Sequence, residues 1–335
     1  MDFLNSGLGQ YIVQTVFHSV IIAIVVESMI SVWHIQEPFP QIKFRLLVLL
    51  LPVLYLPFYY LLYPPRTGAH FHGEVALVDF SQWLGLRLGG GIATWHLFVA
   101  LLALTTVFFL IKEAIPGVRY YFGHRPSFPV IEEGQFPKLD SVLASLSKVR
   151  GLPMPAMLLS AEDTPVVYSL GRRALVLSAS TINLLDSEEL EAVIVHELAH
   201  LIRQASGINR LLLALRFLMF YNPVALLIFR RIINDNEKLC DDIAVSFTGR
   251  RLALGSGLLK IFRHKTVGSS PALAVTSTGR LSPRISTLEN RARRELVKER
   301  VERLLQPDKA RDAPYQNFRV ALTAGLLVAL LFFVV

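Results

Sequence analysis

The chain has 335 residues, 53% of them hydrophobic and 18% charged, with a mean hydropathy of +0.46. Soluble globular chains carry about a quarter charged residues, so this composition argues against an ordinary soluble domain and predicts lipid-facing segments. The net charge of +8 comes with no recognised nucleic-acid-binding motif, which argues against direct nucleic-acid binding. The single cysteine, Cys240, excludes an internal disulfide and fits a reducing compartment.

Four stretches approach the ~20 apolar residues that carry a helix across ~30 Å of hydrocarbon. They run roughly from Tyr11 to Trp33, Leu46 to Leu62, Ala93 to Ile111 and Val320 to Val335. Trp33, Tyr59, Tyr60 and Trp95 fall near their ends, where amphipathic rings prefer to lie. The first does not read as a cleavable signal peptide, since Met1 to Gln10 holds Asp2, no Lys or Arg, and no small-residue cleavage pattern follows. Lys43, Arg45, Arg66 and Arg87 precede Lys112, and 29 of the 34 basic residues follow it, nearly all between the third and fourth stretches. The positive-inside rule therefore predicts a cytoplasmic middle region with both termini outside. The expected organisation is a three-helix membrane region over 1–112, a cytoplasmic domain over 113–317 and a fourth transmembrane helix over 318–335. The fold class is an α-helical membrane protein with four transmembrane helices and an α+β cytoplasmic domain between spans three and four.

Within that domain, Phe122 to Pro137 is rich in Pro and Gly and reads as an irregular linker. Lys138 to Arg150 has helical spacing. Ala156–Ser160, Val166–Ser169 and Ala174–Ser178 read as short strands, with Gly171 in a turn between the last two. Val267 to Arg280 reads as a loop, and Ser282 to Leu305 as a charged helix with many solvated positions.

The chemistry sits in AVIVHELAHLIRQ, Ala192 to Gln204. Asp186 and Glu189 form a capping-box pattern that starts a helix running through this stretch. His196 and His200, four apart, share one helical face and can reach one point, with Glu197 beside it. This is the HExxH arrangement of zinc peptidases: two nitrogen ligands and a general base. Asn222-Pro223 starts a second helix, with Asn as cap and Pro at the first helical position. On that helix Glu237 and Asp241 share a face. Glu237 is a candidate third ligand, and Asp241 a candidate hydrogen-bond partner for the outer nitrogen of a ligand histidine. Bland readings win elsewhere. Ser145 and Lys148 match a Ser-x-x-Lys pattern by chance, Cys240 is a small packing residue, and Tyr221 is an interfacial aromatic. His18 and Glu27 lie in the first span but point to roughly opposite faces, so they do not form one site. Leu211 to Phe229 reads as two helices meeting near the membrane surface.

HELAH, then FYNPVALLIFRRI, then EKLCDDIAV resembles the membrane zinc peptidases of the BlaR/MecR antirepressor family. The resemblance covers the whole chain in architecture and Leu175 to Thr248 in motif. It implies one zinc per chain held by His196, His200 and Glu237, Glu197 as the catalytic base, and Asp241 in support. It implies a bacterial inner-membrane, multi-pass metalloendopeptidase that cleaves a repressor-like cytoplasmic protein, and itself, in signal transduction. The implied partners are that substrate, membrane lipid, and a membrane partner or second copy. The chain ends at Val335 in apolar sequence, so a penicillin-binding sensor is not expected. Related zinc peptidases pair substrate with an edge strand before the HExxH helix, and Arg173, Ala174, Leu175, Val176 and Leu177 stand in that place. One competing reading is an HtpX- or CAAX-type quality-control or processing protease. Another is a non-catalytic receptor or scaffold with a structural metal, which would have no need of Glu197.

Overall fold

The computed structural model describes residues 6–68, 70–88, 92–122, 128–148, 154–171, 173–204, 207–268, 283–306 and 315–334. In chain order its first helices are α1 (Gly7–Val32), α2 (Pro38–Leu62), α3 (Phe80–Leu84), α4 (Thr94–Phe109), α5 (Ile115–Phe122) and α6 (Pro137–Leu146). Strands β1 (Ala156–Ser160), β2 (Val167–Leu170) and β3 (Ala174–Ser178) follow. After them come α7 (Ala179–Leu184), α8 (Ser187–Gln204), α9 (Gly207–Leu218), α10 (Pro223–Thr248), α11 (Arg251–Gly268), α12 (Pro283–Leu305) and α13 (Gln316–Phe332). The chain forms two compact units, one of Met1–Arg125, Arg210–Asn236 and Arg311–Val335, the other of Pro126–Asn209 and Glu237–Ala310.

Among its described residues the first unit holds three helices long and apolar enough to cross a membrane: Gly7–Val32, Pro38–Tyr55 and Thr94–Arg119. The third stretch extends past α4 because a π-helical turn, Leu110–Ala114, carries it into α5. The expected fourth span is α13, an apolar helix of 17 residues. At 1.5 Å per residue it covers about 26 Å, short of the ~30 Å hydrocarbon core. α2 carries Pro52 and Pro57 inside the helix, a pattern that membrane helices tolerate because neighbours satisfy the freed backbone groups.

Several charged and polar residues within this unit are paired, as burial away from water favours. Arg66 donates to the carbonyls of Leu331 (3.3 Å), Phe332 (3.2 Å) and Val334 (2.5 Å), satisfying groups that the end of α13 leaves open. His18 Nε2 lies 3.1 Å from the Val334 carbonyl. Glu27 binds Arg45 at 2.9 Å and Arg231 at 2.7 Å, and Arg45 also binds Asp235. His18 and Glu27 thus have separate partners, as their spacing predicts.

In the second unit the sheet order is β1-β3-β2, with β1 parallel and β2 antiparallel to β3. Gly171, at φ +61°, makes the β2–β3 turn in a backbone region that favours glycine. All three strands fall within one residue of their expected places. The helix expected to reach Arg150 ends at Leu146, and residues 149–153 lie outside the described residues. α11 runs to Gly268, so Val267 is helical, while 269–280 of the expected loop lies outside them. The core of the unit joins Leu139, Val142 and Leu146 of α6, Leu175 and Leu177 of β3, Val193, Ile194 and Leu198 of α8, Leu254 of α11 and Leu304 of α12.

The stretch 210–236 groups with the membrane helices. Asn222 Nδ2 donates to Ser19 Oγ at 2.9 Å, and Arg216 is ion-paired with Glu113. α10 is one helix whose residues to Asn236 belong to the first unit and from Glu237 to the second.

Candidate metal centre

α8 begins on a capping box. The Glu189 amide donates to Asp186 Oδ1 at 2.8 Å, and the Asp186 amide donates to Glu189 Oε2 at 3.0 Å. Glu189 is held again from α11, by Ser256 Oγ and Lys260 Nζ, each at 2.6 Å. The apolar face of α8 enters the core, and its histidines leave on an adjoining face. α10 begins as expected, with Asn222 Oδ1 accepting the amides of Val224 (3.0 Å) and Ala225 (3.2 Å) and Pro223 following the cap.

The two helices bring three donors together. His196 Nε2 and His200 Nε2 are 3.2 Å apart, Glu237 Oε1 lies 3.4 Å from His200 Nε2, and Glu237 Oε2 lies 3.7 Å from His196 Nε2. A cation bound at about 2.0–2.2 Å in a tetrahedron has ligand atoms about 3.3–3.6 Å apart. The observed spacing fits such an ion. Among the described residues this trio is the group of His, Cys, Asp and Glu donors close enough to hold one.

Each imidazole has a partner on its outer nitrogen. His196 Nδ1 lies 3.0 Å from Asp241 Oδ1, and His200 Nδ1 lies 3.5 Å from Cys240 Sγ. Both inner nitrogens therefore face one point. Cys240 is buried, as its packing role predicts, and it also backs His200. Burial, with Glu237 nearby, pushes its thiol up to about 12.

The electrostatics separate the two histidines. Burial disfavours a charge on either. At His196 the carboxylates of Asp241 and Glu237 overcome that penalty and raise the imidazole to about 9, whereas at His200 burial and the neighbouring His196 charge lower it to about 4. Glu237 stays below the usual carboxylate range: burial opposes ionisation, but His196 and the Arg300 charge outweigh it. Asp241, also buried, is held at about 2 by Arg300 and His196. Glu197 lies beside His196 in sequence, and burial raises it to about 7 against the partial relief of the His196 charge and the Ser169 backbone N–H.

Arg300 of α12 is the residue that sequence reasoning missed. Its Nη1 donates to Glu237 Oε2 at 3.0 Å, its Nε to Asp241 Oδ2 at 2.8 Å and its Nη2 to Asp241 Oδ1 at 2.6 Å. One guanidinium thus fixes both acidic residues of α10. No local pattern marks it, since α12 is charged along its whole length.

The substrate-strand expectation needs correction. Arg173 precedes β3, and Ala174, Leu175, Val176 and Leu177 lie in it, but β3 is the middle strand and pairs on both sides. The order β1-β3-β2 leaves its backbone no open edge. The outer strand beside the HExxH helix is β2, whose Ser169 amide reaches Glu197. The chance reading of Ser145 fits its bond to the Val142 carbonyl at 2.7 Å. Tyr221 lies in the other unit, where its hydroxyl bonds Thr15.

The chain is similar in sequence to known membrane proteases. A "Protease HtpX homolog" of Pelotomaculum thermopropionicum is 33% identical over 105 residues, covering 28% of this chain and 37% of that protein. The "Methicillin resistance mecR1 protein" of Staphylococcus aureus is 27% identical over 100 residues, 29% of this chain and 17% of that protein. An HtpX homologue of Nostoc is 35% identical over 78 residues, 22% of this chain and 27% of that protein. The chain spans well under half the length of these curated relatives. The profile described as BlaR1 peptidase M56 matches residues 95–288. That match takes in more than half of the sequence, with HELAH, Asn222-Pro223 and Cys240-Asp241 inside it, and the chain belongs to the BlaR1 peptidase M56 family.

Proposed function

We propose that the protein is a membrane-embedded zinc metalloendopeptidase that cleaves a repressor-like cytoplasmic regulator, and itself, in signal transduction. The observation that carries this reading is the convergence of His196, His200 and Glu237 on one point with Glu197 beside it. A purely structural metal would have no use for that carboxylate. When bound, zinc would polarise the scissile carbonyl and lower the pKa of a water towards ~7.

The rest is the work of the chain. Glu197, raised to about 7 by burial, takes the proton of the attacking water and returns it to the leaving nitrogen. Asp241 and Cys240 keep the imidazoles aimed inward, and Arg300 keeps Asp241 and Glu237 in place. β2, as the outer strand, can pair with a substrate backbone, which gives main-chain hydrogen bonds with modest side-chain selectivity. In this reading α13 is a fourth span, the catalytic residues face the cytoplasm and both termini lie outside. A reporter fused after residue 130 then reads as cytoplasmic and one near residue 75 as external.

A second reading, an HtpX-type quality-control protease, is favoured by the HtpX homologues at 33% and 35% identity. Proteomic comparison of cells carrying the parent or the Glu197→Gln chain separates the two. Loss of a discrete regulator, restored in the variant, supports the first. Turnover of misfolded membrane proteins alone rejects it in favour of the second.

A further inference from the structure

Residues 211–229 read LLLALRFLMFYNPVALLIF, nineteen residues with Arg216 as their one charge, flanked by Arg210 and by Arg230-Arg231. By length and apolarity the stretch would cross a membrane. Crossing straight, it would place basic residues on both sides, against the positive-inside rule. The structure breaks it in the middle instead. α9 ends at Leu218, and α10 starts at Pro223 behind its Asn222 cap.

The tip of this hairpin meets the first span near its centre. Asn222 bonds Ser19, and Ser19 lies twelve residues from the start of α1 and thirteen from its end. The Tyr221 hydroxyl bonds Thr15, and its ring packs against Val13, Val16 and Phe98. From there α10 runs alongside α1. Asn222 to Arg231 is nine residues and Ser19 to Glu27 is eight, about 13 and 12 Å of helix, and Arg231 meets Glu27 at 2.7 Å. The charge inside the hairpin is neutralised. Arg216 is buried, ion-paired with Glu113 and stacked near the rings of Phe109 and Phe229. Leu213, Phe217, Leu218 and Leu227 are each at least half exposed, and Leu213 and Phe217, four apart, share a face of α9. Large apolar side chains left open in this number favour a lipid or partner surface over water. They resemble the exposed Leu101 and Leu104 of α4 in the same unit.

We propose that residues 210–236 form a re-entrant hairpin whose outer face lies against lipid acyl chains, so that α10 starts inside the bilayer and leaves it just before Glu237. The occupant is hydrocarbon, because the patch belongs to the unit of the membrane helices and shares their apolar chemistry. The inference rests on reading α1 and α4 as spans and is independent of catalysis.

The test uses the full Glu197→Gln chain in phosphatidylethanolamine–phosphatidylglycerol vesicles with a diazirine at the end of one acyl chain. Photolysis and peptide mapping should place lipid adducts on 211–229 at a yield within about threefold of the α4 peptide. Hydroxyl-radical footprinting of the same vesicles should leave Phe217 and Leu218 unoxidised while Leu252 reacts. Adducts confined to the other membrane helices, with Phe217 oxidised, would overturn the proposal. Protection of Phe217 without lipid adducts, the mark of a second copy covering the face, would overturn it as well. Because the chain is already inactive, neither result bears on the peptidase reading.

Discussion

Arg300 and Asp241 meet through two hydrogen bonds, Nε to Oδ2 at 2.8 Å and Nη2 to Oδ1 at 2.6 Å, while Asp241 Oδ1 also stands 3.0 Å from His196 Nδ1. The guanidinium also touches the donors themselves, with Nη1 on Glu237 Oε2 at 3.0 Å and Nη2 3.4 Å from His196 Nε2. Replacing it with Ala leaves a buried carboxylate without its cation and frees Glu237 on the other side. Partners of this kind are worth about 10–100-fold in metal affinity or activity. Arg300→Ala should weaken zinc retention in a competition with chelator by about that factor. Arg300→Lys, which keeps the charge but loses the planar fork, should recover part of it. Unchanged retention in both variants would remove Arg300 from the site.

Glu197 and Glu237 should separate cleanly by substitution. Glu197→Gln keeps the size and removes the proton acceptor, so cleavage should fall by at least 10²-fold, the low end of general-base contributions, with metal content near that of the parent. Glu237→Ala removes a ligand and should lose both metal and cleavage. The two readouts are metal analysis of the purified chain and cleavage of a reporter substrate. A Glu197→Gln chain as active as the parent would end the catalytic assignment.

Metal uptake should release protons. In the metal-free chain His196 holds its proton up to about 9, since Asp241 and Glu237 overcome the penalty of its burial, while His200, at about 4, is already neutral at pH 7. A ligand nitrogen must give up its proton. Zinc binding between pH 7 and 8 should therefore release close to one proton per site, and apparent affinity should rise with pH until about 9 and then level. Calorimetry in two buffers of different ionisation enthalpy counts the protons. A count near zero at pH 7 would show that His196 is neutral before the metal arrives.

Two glycines of α11 offer a matched pair. A Cβ at Gly257 would stand 2.9 Å from Val193 Cγ2 and 3.6 Å from Glu189 Cβ, where α11 crosses α8. Val193 is buried and β-branched and cannot swing aside. A Cβ at Gly255 would meet Leu304 and Val301 at an ordinary 3.9 Å. Overpacking costs about 1–3 kcal/mol, partly offset by the ~1 kcal/mol that Ala gains over Gly in a helix. Gly257→Ala should lower the melting temperature and, because Val193 lies one turn before His196, weaken metal retention. Gly255→Ala should do neither. Equal melting temperatures would show that α8 yields freely at the crossing.

The catalytic motif was legible because its residues are close in sequence and helix geometry is fixed. His196 and His200 share a face by spacing alone, and the Asn-Pro cap announces the helix that brings Glu237 and Asp241. Strand positions were legible from short apolar runs, but their order was not. Whether β3 is central or outer depends on a parallel pairing with β1 that no local pattern encodes. Arg300 was hidden for a related reason. It stands 59 residues after Asp241, in a helix whose charges all look solvated until its partner is known. The hairpin was half legible: the break at Asn222-Pro223 was visible, and the bond of Asn222 to Ser19, some 200 residues away, was not.

The continuity of α10 has a mechanical consequence. From Val224 to Thr248 it contains neither proline nor glycine, so it has no built-in hinge and behaves as a stiff rod. Asp235 is tied to Arg45 of α2, and Arg231 to Glu27 of α1. Glu237 follows two positions later, about 3 Å along the axis. Glu237 and Asp241 stand one turn apart on that uninterrupted backbone, so their spacing is set by the helix itself and no loop movement can change it.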